Sequence, residues 1–198
     1  MKRRDMLKLS LAATGLAALP ARAAESCPGE GTPLQFMPKK APDARAAEND
    51  IEKYPKCPYC GMDRKQFHHS RMLVHYSDDV ADGTCSLHCT AISLSLNIDR
   101  EPKGIYVGDN ASGAEVKPLV EVAQATFLIG SQIKGVMTRN SKVAYGNEAA
   151  AKTAQAANGG ELANFDQALL VAYTDMSKDV SMIRRNREER RKRMMQKG

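Results

Sequence analysis

The 198-residue chain has no tryptophan and only four phenylalanines and six tyrosines, so a core dominated by aromatic rings is excluded. Leucine, isoleucine, valine, alanine and methionine must supply the buried surface, which points to ordinary rather than high stability. A membrane-spanning run is also missing, since the apolar stretch Leu7 to Leu19 falls short of the ~20 residues a spanning helix needs. Nor is there a basic body. The formal net charge is +6, yet residues 1–23 and the tail Ser177 to Gly198 carry the excess, and residues 24–176 stand at −4. That distribution argues against nucleic acid as a partner.

The start of the chain speaks of place. A basic opening, the apolar run and Ala21-Arg22-Ala23 form a signal peptide over residues 1–23. Arg3-Arg4 before Met6-Leu7-Lys8 resembles a twin-arginine export signal, so a periplasmic or other extracytoplasmic protein is expected. Cys27 follows Glu25 and Ser26 where a lipoprotein signal wants small or apolar residues, so no lipid anchor is expected.

Residues 24–53, rich in Pro, Gly, Ala and charge without a period, read as an extended linker. Residues 54–110 then form a first ββαβ unit. It has an alternating strand over Ser70 to Tyr76, a short strand to Thr84, a helix from Cys85 and a strand over Gly104 to Asp109. The helix competes with a strand because Ile92, Leu94, Leu96 and Ile98 alternate. Length and a Thr84 or Ser86 cap favour helix. Residues 111–176 repeat the order, with strands in ATFLIGS and SKVAYG, an Ala-rich helix from Asn147 stopped at Gly159-Gly160, a strand near Leu162 and a helix over 166–176. Residues 177–198 are a basic helical tail. The fold class expected is therefore α+β, two similar ββαβ units plus a C-terminal charged helix.

The chemistry sits in the cysteines. Cys57-Pro-Tyr-Cys60 and Cys85-Ser-Leu-His-Cys89 are two close pairs, 24 residues apart, and the first is followed by Gly61-Met62. A pair on a turn and a pair at a helix start can converge on one metal, and a helix start lowers a thiol's pKa. Three uses compete. A thioredoxin-type couple needs an apolar strand before Cys57 and a helix after Cys60, and neither flank has that period. Four thiolates suit structural zinc, and two disulfides would staple an exported domain. Thiolates with thioethers suit Cu(I), and Met62, His88 and Met137, the last in polar KGVMTRN, add soft ligands. The candidate metal ligands are Cys57, Cys60, Met62, Cys85, His88, Cys89 and Met137.

CPYCGM, GTCSLHC, GIYVGD, ATFLIGSQIKGVMT and AAKTAQAANGGELANFDQAL, in that order, resemble the nitrous oxide reductase accessory protein (NosL-like) family over roughly residues 50–176. The resemblance implies an organomercurial-lyase-like fold and an exported Cu(I) carrier, not an enzyme. It would serve copper-site assembly in nitrous oxide reductase or a similar client, with a membrane transporter complex as partner. It also implies Cys57, Cys60, Met62 and Met137 as ligands. The second cysteine pair is shared with TRASH-type heavy-metal domains, which keeps Zn as the alternative to Cu(I). The tail, with dense arginines and Met194-Met195, is expected to be a solvated helix or to touch an anionic membrane or an acidic partner.

Overall fold

The computed structural model describes residues 38–196, so the expected export signal over residues 1–23 and Cys27 lie outside the described residues. Asp50–Lys53 forms a short helix, α1, and both Ala46 and Asp50 are buried. The linker reading is corrected here: the last residues before Tyr54 are part of the fold. The reason is a buried carboxylate, Asp50, that a composition argument takes for solvated charge.

Met72–Tyr76 (β1) pairs antiparallel with Ala81–Thr84 (β2), Met72 standing opposite Thr84. Leu87–Leu96 (α2) follows, and the strand alternative for this segment fails. Ile98, the last residue of the alternating set, lies beyond the helix and is 81% exposed. Pro102–Gly108 (β3) returns to the other edge of β1, and Leu119–Glu121 (β4), which the sequence did not announce, extends the sheet to the order β2-β1-β3-β4. All five residues of β1 are buried, because the central strand is covered on both faces.

The second unit repeats this path. Thr126–Ile129 (β5) pairs with Lys142–Tyr145 (β6), Glu148–Asn158 (α3) crosses over, and Glu161–Ala163 (β7) pairs with β5, giving the order β6-β5-β7. In both units the first strand lies between the second and third. The Asn147 side chain caps α3 by accepting from Ala150 N at 2.8 Å, and Gly159 with φ 67° ends it.

Phe165–Met195 (α4) is one continuous helix, opened by a capping box in which Asn164 and Gln167 bond each other's backbone. The expected tail is thus the second half of this helix. One core cluster joins the units, with Met72, Leu87 and Val107 from the first touching Phe127, Ala144, Ala168 and Ala172 from the second. The molecule is two repeats sharing one interior.

Candidate metal centre

The CPYCGM segment is a closed turn. Cys57 N donates to Met62 O and Gly61 N to Cys57 O, both at 2.9 Å, and Lys56 bridges to Asp63 across its base. Gly61 takes φ 77°, a left-handed conformation that glycine adopts at no steric cost. On the other side, β2 delivers Cys85 just before the Ser86 N-cap of α2, and Cys89 lies in the first turn of that helix. The two segments meet. The Sγ atoms of Cys57, Cys60, Cys85 and Cys89 all lie within 4.8 Å of one another, with Cys60–Cys85 at 3.4 Å and Cys85–Cys89 at 3.8 Å.

Three of the four are buried and Cys60 is half-buried, so the cluster has a closed floor and an open rim. Met62 Sδ stands 4.0 Å from Cys85 Sγ on that rim. Met137, from the loop between β5 and β6, packs on the same cluster with Val136. It does so at φ 61°, a conformation that costs a bulky residue about 1–2 kcal/mol. Strain of this kind collects where a site over-determines the backbone. His88 is the exception among the expected ligands. Its nitrogens are not part of the sulfur group, and Nδ1 instead lies 3.5 Å from Asp179 Oδ2 of α4. Consecutive helix residues do not share a face, so a histidine beside Cys89 cannot follow it into the cluster.

Hydrogen bonds from Cys60, Cys85 and Cys89 pull the Cys57 thiol far down, whereas proximity to Cys57 pushes Cys85 and Cys89 up. This corrects the helix-start expectation, because the neighbouring sulfurs outweigh the backbone N–H groups. Four crowded thiols cannot all ionise against one another, and a soft cation that replaces their protons would relieve the repulsion.

Residues that sequence reasoning missed hold the cluster in place. Arg64, fully buried, donates to Thr84 O at 3.1 Å, Tyr54 O at 2.6 Å and Met72 O at 3.0 Å. It also pairs with Asp50 at 2.7 Å, a carboxylate shared with Arg71 at 2.9 Å. Arg64 therefore ties the segment after Met62 to the end of β2, where Cys85 begins. Gly83 makes room for it, since a Cβ there would stand 2.7 Å from Arg64 Cζ. Tyr59, inside the turn, donates to Asp82, which also accepts from Ser93 Oγ at 2.7 Å. The only sequence signal is the pair Asp63-Arg64, residue types that are mostly exposed in folded chains.

A family model described as NosL matches residues 48–169. No curated protein matches the chain. Among solved structures, the crystal structure of the copper chaperone NosL from Shewanella denitrificans is similar at 22% sequence identity and a TM-score of 0.48, covering 56% of this chain and 87% of that one.

Proposed function

Since the chain belongs to the NosL family, matched over residues 48–169, we propose that its sulfur cluster binds Cu(I) as cargo and passes it to a copper enzyme. The observation that carries this reading is the graded donor set. Three buried thiols form the floor, and Cys60, Met62 and Met137 form a partly exposed rim of one thiol and two thioethers. Cu(I) favours sulfur and few ligands, so the floor can hold it while a weak thioether yields to an incoming ligand. His88 lies apart from this set, its Nδ1 facing Asp179 Oδ2 of α4 at 3.5 Å without a hydrogen bond. No covalent bond of a substrate changes in such an exchange.

We place the protein outside the cytoplasm, exported by residues 1–23, with nitrous oxide reductase or a similar copper enzyme as client and a membrane transporter complex as supplier. What supports this is family membership together with the leader sequence.

A second reading has its own observation. Four sulfurs within 4.8 Å of one another, two of the separations being 3.4 and 3.8 Å, resemble the edges, about 3.8 Å, of a tetrahedral site with Zn–S bonds of about 2.3 Å. Zinc would leave Met62 and Met137 without a purpose, and the strained backbone of Met137 without an explanation. A thioredoxin-type couple is disfavoured by the turns that follow Cys60, where such a couple needs a helix.

The test is anaerobic titration of the reduced protein with Cu(I) against a chromophoric chelator, with X-ray absorption at the copper edge. Stoichiometric Cu(I) in a sulfur-only shell supports the proposal. Failure to compete with the chelator overturns it.

A further inference from the structure

Beside the sulfur rim runs a groove of about 730 Å³ with a cationic lining. Cys60, Met62 and Met137 lie on one wall. A further wall is the second half of α4, through Met182, Ile183, Arg187 and Arg190. Lys134 and Arg139 complete the cationic lining, and no described residue that lines the groove is acidic. None of these four cations has an ion-pair partner among the described residues, whereas Lys192 on the same helix pairs with Glu188 at 2.8 Å. Four uncompensated positive charges around a concave, partly apolar floor are a recognition surface for a negative chain.

The groove is also not explained by the family match. That match ends at residue 169, so the Met182 to Arg190 wall lies beyond it. A free-standing helix of this composition would need no concave face. Here Met182 and Ile183 are half-buried against the site, while the tip residues Met194 and Met195 are 67% and 83% exposed.

We propose that this groove docks an acidic segment of the protein that exchanges metal with the cluster, and so lays a partner's ligand over Cys60 and Met62. The choice of occupant rests on charge complementarity, and its identity as the metal-exchange partner rests on the Cu(I) reading above. The docking itself is electrostatic and requires no metal. A membrane is disfavoured as occupant because the cations face a concavity shared with metal ligands, not a flat surface.

The test uses the full chain, without metal and loaded with Cu(I), and a fluorescein-labelled acidic peptide of aspartates and glutamates around one methionine. Binding is read by anisotropy at low ionic strength. Two double variants change the charge equally. Arg187→Glu with Arg190→Glu alters the groove, whereas Arg184→Glu with Arg191→Glu alters the same helix away from the groove lining. All four positions are exposed, so the fold is expected to survive, and circular dichroism checks it. The proposal expects the groove variant to bind about tenfold more weakly in the metal-free protein and the control variant to change by less than about threefold. Equal losses in both variants, or no loss in the groove variant, would overturn it. Vesicles of phosphatidylglycerol and phosphatidylcholine give the other arm, and a groove variant that loses vesicle binding while keeping peptide binding would replace the acidic partner with a membrane. Because the peptide is read without metal, a protein that fails to bind Cu(I) leaves this result interpretable.

Discussion

At the scale of single residues the centre depends on groups that carry no metal chemistry. Arg64 satisfies carbonyls from three segments at once, and no methionine or lysine can reproduce that fork. Replacing Arg64→Met leaves Asp50 paired to Arg71 but strands several buried carbonyls, so urea denaturation should show a loss of about 3 kcal/mol or more. An unchanged midpoint would mean the network is ornamental. Asp82 gives a prediction about pH. Burial raises its carboxyl, against the lowering effect of the Tyr59 and Ser93 hydrogen bonds. A raised folded value means the contribution is fully present below about 3.8, the unfolded value, and is lost as pH rises through the folded one. Asp82→Asn should therefore flatten the decline in stability as pH rises above about 3.8, as measured by denaturation at each pH. Met137 separates strain from ligation. Met137→Gly relieves the φ 61° backbone and should leave thermal stability equal or higher, yet weaken Cu(I) binding by about tenfold. If both stability and affinity are unmoved, Met137 is neither strained for function nor a ligand.

At the scale of elements, the parts with a strong local signal were legible and the parts defined by tertiary contact were not. Asn147 and Gly159 announced both ends of α3, and the Cys85/Cys89 spacing announced α2. The three-residue strand β4 has too few residues to show a period, and α1 looked like linker because its importance lies in a buried Asp50 whose partners are 14 and 21 positions away. Among the candidate ligands, the convergence of the four cysteines with Met62 and Met137 was legible from their types and spacing. His88 lies against Asp179 instead, because sequence adjacency to Cys89 is not spatial adjacency. The helix α4 joins two segments that composition had divided at residue 177, an apolar-faced half on α2 and a charged half beside the groove. Ending the chain at Met176 keeps the Tyr173 and Asp175 contacts but removes Asp179 from His88. The shortened protein should keep its Cu(I) stoichiometry while losing the far-UV helical signal of residues 177–195, about 1–2 kcal/mol of stability and the acidic-peptide binding. Loss of the metal with the tail would instead place essential ligands on α4.

At the scale of the whole molecule, the site is a seam. The first unit supplies all four thiols and Met62, the second supplies Met137, and the shared core of Met72, Phe127 and Ala168 fixes their relative position. A metal bound across a seam stabilises both halves against unfolding, by about 4 kcal/mol when free metal is a thousandfold above the dissociation constant. A structural zinc confined to the first unit would do so as well, which is why stabilisation alone cannot tell carrier from knuckle. The measurement that does so is anaerobic competition between Cu(I) and Zn(II) for the reduced protein, repeated on Cys57→Ser and Met137→Leu. One equivalent of copper is expected to be retained in excess zinc, with its binding weakened in both variants. Zinc that resists Cu(I) and is indifferent to Met137 would contradict it, and would make the four cysteines a structural clasp.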